Sequence, residues 1–238
     1  MCMVTISMRL VVVLLVVVGV VSAVCVYTSV TGVASMDSKY MYTVVVDAGH
    51  GGRDVGCSGV NLGVNECDIN LSIANKLREY LERQGMRVVM TRLDDSGLYD
   101  KDATNFKLSD MNKRVAIINE SHADMVVSIH QNSFEDTTLK GAQVFYQEGD
   151  SDSKVLAKCV QDELKYTMPY TRGEHNHSDL YLLKESSTLG VLVECGYLTN
   201  SEDEVNLANA DYQQKIAYTI MCGIVRYLIS IGTMMDVY

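Results

Sequence analysis

Four ionisable side chains stand where the sequence predicts that strands end and loops or helices begin. His50 lies in the Gly-rich stretch Ala48-Gly49-His50-Gly51-Gly52, directly after the β-branched run Tyr42-Thr43-Val44-Val45-Val46-Asp47. Glu66 opens a segment with Ile69, Ile73, Leu77 and Leu81 at helical spacing. His130 closes Asp124-Met125-Val126-Val127-Ser128-Ile129, and Glu194 closes Gly190-Val191-Leu192-Val193. Two imidazoles and a carboxylate form a donor set that suits hydrolytic zinc, with a fourth position left for water. Such an ion lowers the pKa of its water to about 7 and polarises the scissile carbonyl. A second carboxylate must then carry the water proton to the leaving nitrogen. His50, Glu66 and His130 are therefore the predicted ligands, zinc the predicted ion, and Glu194 the predicted proton carrier. A charged group placed directly after buried aliphatics is expensive unless it is used.

Each of these residues has a plainer reading when taken alone. A histidine at a strand end is more often a hydrogen-bonded core group than a ligand. Glu66 could simply complement a helix dipole, with Asn65 as N-cap. Asp47 is read as holding His50 through a hydrogen bond from behind the metal. His122 is read as surface, and His175-Asn176-His177 as part of a solvated loop. The Gly-rich stretch is not a phosphate loop, because it lacks both the Gly-Lys-Ser/Thr ending and the GxGxxG spacing.

The elements that must position these residues alternate in type. Strands are expected at 42–47, 86–91, 124–130, 142–146, 180–183 and 190–194, and helices at 66–84, 108–120, 153–165 and 211–231. This alternation predicts an α/β fold, a single domain with a twisted, mostly parallel sheet and helices on both faces. Ligands in such sheets bind beyond the carboxyl ends of the strands, where the four residues converge.

The 238-residue chain carries 20 basic and 30 acidic side chains, a net −10. None of these charges falls between residues 10 and 36, so 37–238 holds 19 basic against 30 acidic, a net −11. So acidic a domain has no general grip on nucleic acid. The apolar run from Leu10 to Tyr27 lies between the length of a signal-peptide core and that of a membrane span. Residues 1–27 are expected to be a signal peptide or N-terminal membrane anchor, 28–41 a linker, and 42–232 the catalytic domain. Arg9 before the run and acids after it place the domain outside the cytoplasm. There are seven cysteines and no CxxC pair, which favours free thiols over a disulfide framework.

Asp47-Ala48-Gly49-His50-Gly51-Gly52, Asn65-Glu66, Val127-Ser128-Ile129-His130-Gln131-Asn132 and Val193-Glu194-Cys195-Gly196-Tyr197-Leu198-Thr199-Asn200, in this order, resemble the zinc-dependent N-acetylmuramoyl-L-alanine amidases of the amidase-3 type. The resemblance runs from about residue 43 to 230 and is strongest to the germination-specific amidases of spore formers. It implies hydrolysis of the amide between N-acetylmuramic acid and the L-alanine of the peptidoglycan stem. His50, Glu66 and His130 fall on the family's zinc ligands, and Glu194 falls on its catalytic glutamate. The resemblance further implies stem removal from spore cortex ahead of muramic-δ-lactam formation, a separate deacetylase that completes that ring, and an activating lipoprotein partner. The sequence departs from the family pattern at Ala48, Gln131 and Cys195, none of which is a ligand. Two other readings stay open on the residues. One is a non-catalytic peptidoglycan-binding scaffold, and the other a zinc peptidase acting within the stem. The first has no need for Glu194.

Overall fold

The β-branched runs become strands, and four of the strands run parallel. The computed structural model describes residues 41–168 and 170–233. The expected signal peptide or anchor, and residues 28–40 of the expected linker, lie outside the described residues. Among the described residues no helix is long and apolar enough to cross a membrane.

In chain order the elements are β1 (Thr43–Ala48), α1 (Glu66–Arg83), β2 (Arg87–Met90), α2 (Phe106–Glu120), β3 (Met125–Asn132), β4 (Gln143–Gln147), α3 (Ser151–Thr167), β5 (His175–His177), α4 (Tyr181–Glu185), β6 (Gly190–Tyr197), α5 (Ser201–Leu207) and α6 (Ala210–Ser230). They build the expected α/β fold around one six-stranded sheet of order β2-β1-β3-β6-β4-β5. β2, β1, β3 and β6 are mutually parallel; β4 runs antiparallel to β6, and β5 parallel to β4.

Side-chain alternation along each strand feeds two cores. Val44, Val46, Val127, Ile129, Val191 and Val193 point to the face covered by α1, α3 and α6. Val45, Val126 and Leu192 point to the smaller core under α2 and α4. The α1 stripe Ile73, Leu77 and Leu81 is fully buried, and truncating any one of these to alanine should cost about 2–5 kcal/mol.

Three local expectations need correction. Residues 180–183 are not a strand: Tyr181–Glu185 is a helical turn. Leu182 and Leu183 are adjacent yet both enter the smaller core, whereas a strand would send them to opposite faces. His175–His177 is not loop but a short, exposed edge strand. α5 was not expected. It is short and acidic, and it is started by Asn200, whose side chain accepts from Glu202 N and Asp203 N.

Candidate metal centre

β1 and β3 are neighbours in the sheet, but the chain leaves them in opposite directions, β1 toward β2 and β3 toward β6. The crevice beyond their carboxyl ends is the place where such sheets take ligands. His50 follows β1, His130 lies near the end of β3, and Glu66 opens α1 against both.

His50 Nε2 lies 3.1 Å from Glu66 Oε1, and His130 Nδ1 lies 3.0 Å from the same oxygen. One ligand atom from each residue falls within 4.8 Å of the others. Bonds of about 2.0–2.1 Å at tetrahedral angles would set donors roughly 3.3 Å apart, so both distances to Glu66 Oε1 already lie near coordinating separations. The imidazole planes stand at 77° with centroids 5.0 Å apart, which aims two nitrogens at one point without stacking the rings.

The loop that carries His50 is strained and tightly held. His50 has φ 60°, followed by Gly51 at 136° and Gly52 at 60°. A non-glycine residue in this region is uncommon and must be held by its surroundings. Gly51 and Asp54 exchange backbone hydrogen bonds of 2.8 and 3.1 Å. At Gly49 a Cβ would come 2.2 Å from the His130 ring, so only glycine fits beside that imidazole.

Two buried arginines fasten the loop from below. Arg114 NH1 donates to Ala48 O (2.7 Å) and NH2 to His50 O (2.6 Å). Arg92 Nε donates to Ala48 O (2.8 Å), and NH2 donates to Gly49 O (3.0 Å) and Cys67 O (2.8 Å). Sequence reasoning singled out neither. Arg114 carried a readable signal, because with Met111, Val115 and Ile118 it completes a helical stripe whose other members are apolar.

Asp47 does not hold His50, contrary to expectation. Its carboxylate accepts from Arg114 NH1 (2.7 Å), Thr91 Oγ1 (2.7 Å) and Ser128 Oγ (2.6 Å), and so supports the loop one step further back. Burial alone would raise its pKa, but Arg114 and the hydroxyls bring it down to about 2. His50 is instead oriented by Asp54, whose Oδ2 lies 2.9 Å from Nδ1 and whose Oδ1 pairs with Lys107 at 3.2 Å. This contact fixes the ring so that Nε2 faces Glu66. Burial lowers the His50 pKa, but Glu66 and Asp54 overcome it and lift it to about 9.

Glu66 is 4% exposed. Its Oε1 accepts from Gln131 N (3.1 Å) and Asn70 Nδ2 (3.3 Å), and its Oε2 from Cys57 N (3.0 Å). Burial opposes the carboxylate, yet His130 and His50 hold its pKa far below the usual range. Asn65 does occupy the N-cap position, but its side chain accepts from Ser58 Oγ rather than capping α1.

Glu194 pairs with His130 across β3 and β6. Its Oε2 is out of solvent contact and has no hydrogen-bond partner. Burial pushes its pKa up to about 7, against the pull of His130. A carboxylate without partners, beside three converging donors, fits a site built around a cation. A cavity of about 300 Å³ opens beside His50 and His130 on the α2 and α4 side, with Met111, Tyr181 and Leu182 among its walls.

His122, His175 and His177 stay exposed and outside this cluster. Cys57, Cys67, Cys159, Cys195 and Cys222 are free thiols. None of them joins the cluster of three donors found among the described residues.

A family model described as N-acetylmuramoyl-L-alanine amidase matches residues 44–226. The germination-specific N-acetylmuramoyl-L-alanine amidase of Bacillus subtilis is 35% identical over 193 residues, covering 79% of this chain and 81% of that protein. The CwlD amidase of Clostridioides difficile, solved in complex with the GerS lipoprotein, superposes with a TM-score of 0.77 at 42% identity, over 79% of this chain and 99% of that one. The catalytic domain of the CwlV amidase from Bacillus (Paenibacillus) polymyxa gives 0.70 at 32%, over 79% and 98%.

Proposed function

The chain belongs to the amidase-3 family of N-acetylmuramoyl-L-alanine amidases, and on that premise we propose that His50, Glu66 and His130 hold zinc while Glu194 moves the proton. The reaction is hydrolysis of the amide between N-acetylmuramic acid and L-alanine in peptidoglycan. The observation that carries the residue assignment is the partnerless Glu194 Oε2 beside the three donors.

A bound zinc ion would polarise the scissile carbonyl and acidify the attacking water. The chain supplies the remaining chemistry. Glu194 accepts the water proton as the new C–O bond forms, then passes it to the alanine nitrogen as the C–N bond breaks. Gln131 N and Cys57 N hold Glu66 in its ionised state, and Asp54 keeps the His50 ring turned to the site. The donor set also suits other first-row ions. Zinc is preferred here because two imidazoles and one carboxylate near tetrahedral separations leave a fourth position for water.

The biological setting proposed is spore cortex. There, stem removal precedes muramic-δ-lactam formation by a separate deacetylase, and a lipoprotein partner assists. The supports are the likeness to a germination-specific amidase and to an amidase solved with a lipoprotein. The domain is proposed to work outside the cytoplasm, delivered by the apolar run of residues 10–27, as signal peptide or anchor.

The test is mass spectrometry of muropeptides after incubation with the soluble domain, with and without chelator. Free stems beginning with L-alanine, an intact glycan, and restoration by added zinc are expected. Release of shorter peptides with alanine still on the glycan would assign the enzyme to cleavage within the stem instead.

A further inference from the structure

On the far side of Glu194 from His50, a cation stands without an acid. Thr171 bridges Ala142 in parallel, and Arg172 N donates to Ala142 O at 2.9 Å, so residues 171–173 extend the sheet next to the start of β4. Gln143 ties this segment to the site. It pairs with Glu194 across β4 and β6, and its Nε2 donates to Gly173 O at 2.9 Å. Two strand spacings set the Arg172 backbone about 10 Å from that of Glu194, a gap that its long side chain narrows. The Arg172 side chain is exposed, and its guanidinium lies against the phenol of Tyr197. Tyr197 is buried and sits on the irregular end of β6, where the register with β3 shifts after Glu194.

On the His50 side of the crevice, exposed Arg53 lies over the Phe106 ring at 4.8 Å rather than against an acid; the other basic groups nearby are paired or buried. Lys107 pairs with Asp54, Lys140 with Glu202, Lys165 with Glu174 and Lys184 with Asp179, and Arg92 and Arg114 are buried under the loop. Among the described residues, Arg172 makes no ion pair, although the chain has ten more acids than bases. A guanidinium is a planar fork suited to a carboxylate, and here no protein carboxylate fills it. Glu194, as the proton carrier, marks the side of the leaving nitrogen. The residue after the alanine lies within about 7 Å of that nitrogen, at no more than about 3.6 Å per residue. That distance bridges the gap to Arg172.

We propose that Arg172, braced by Tyr197, binds a free carboxylate of the stem peptide on the residue that follows the alanine, and so selects acidic stems over amidated ones. The inference rests on the placement of Glu194 at the leaving nitrogen.

The experiment uses two glycan-linked stems that differ only in carrying an α-carboxylate or a carboxamide on that residue. The wild-type domain is expected to prefer the acid about 10-fold in kcat/KM, mainly through KM, as expected for one charge-assisted hydrogen-bonded pair. Arg172→Gln should lose that preference, while Arg172→Lys should keep most of it. Metal content and Tm are measured for each variant to separate recognition from folding. An unchanged acid-to-amide ratio in Arg172→Gln, or a wild type with no preference, would overturn the proposal. A wild type that cleaves neither stem at the muramoyl–alanine bond would overturn the amidase reading beneath it.

Discussion

The two sides of the metal centre are built to different rules. On the β1 side, Asp47 is tied to three partners, the carbonyls of Ala48, Gly49 and His50 accept from Arg92 or Arg114, and His50 Nδ1 faces Asp54. On the β6 side, Glu194 Oε2 is buried with no partner and its pKa is pushed up to about 7. Ligand atoms must keep their separations through every turnover, so their supports are saturated with hydrogen bonds. A proton carrier must gain and lose a proton, and a carboxylate fixed by several donors would be too weak a base for that. On the proposed assignment, the difference separates the part of the site that holds from the part that reacts.

The largest effect expected from breaking this contrast is Glu194→Gln. Hydrolysis should fall by about 10²–10⁴, while bound metal stays at wild-type stoichiometry by elemental analysis. Thermal stability should not fall, because the change removes a buried charge that lacks a partner. If Glu194→Gln lost its metal, Glu194 would be a ligand and the division between the two sides would disappear.

The opposite disruption is Arg114→Met. It leaves Asp47 buried without its cation and frees the carbonyl of His50, while Ala48 O keeps only Arg92. Breaking one partner of a buried ion pair costs about 3–5 kcal/mol, to be read by denaturant unfolding of the metal-free domain. An unchanged midpoint would show that the loop keeps its strained His50 without the arginine.

The sequence made the candidate site residues legible where a strand-like run gives way to a loop or a helix begins. Glu194 directly follows Val191-Leu192-Val193, His130 follows Val126-Val127-Ser128-Ile129, and His50 stands in the Gly-rich loop after Val44-Val45-Val46-Asp47, places where a polar side chain must be either satisfied or used. Glu66 opens a helix of clear period, and the structure brings it to the two histidines. Arg92 and Arg114 were not legible as supports of the His50 loop, because the loop groups they hold are backbone carbonyls more than 20 residues away in the chain, and carbonyls leave no mark on the side-chain pattern. Asp47 was assigned to the wrong partner for a related reason. Only two residues separate it from His50 in sequence, but it points from β1 toward α2, while the loop turns His50 back to Asp54. The antiparallel direction of β4 was also hidden, since strand direction is set by the connection and not by the alternation of residues within the strand.

Asp54 tests whether orientation matters once the loop is fixed. Asp54→Ala removes the group that faces His50 Nδ1 while leaving both arginines in place. Loss of such a contact lowers metal affinity by about 10–100-fold, measurable by competition with a chromophoric chelator. A change below twofold would mean that the arginine-held backbone alone sets the ring.

The smallest expected effect lies furthest from the chemistry, in how stability responds to acid. Asp47 has a folded pKa of about 2 against an ordinary value of 3.8, because Arg114, Ser128 and Thr91 favour its charged form against the cost of burial. A depressed carboxyl contributes stability that is fully present above the unfolded value and is lost as pH falls through the folded one. The window is therefore about pH 4 down to 2, and the shift corresponds to roughly 2 kcal/mol. Comparing the metal-free domain with Asp47→Asn by denaturant unfolding, the pH-dependent part of the difference should be flat above pH 4 and should vanish near pH 2. Metal-free protein is used so that protonation of the ligands does not mask the effect. A difference that instead closed between pH 6 and 8 would place the titrating group among the histidines, and the saturated side of the site would then owe its acid response to His50 rather than to the Asp47–Arg114 pair.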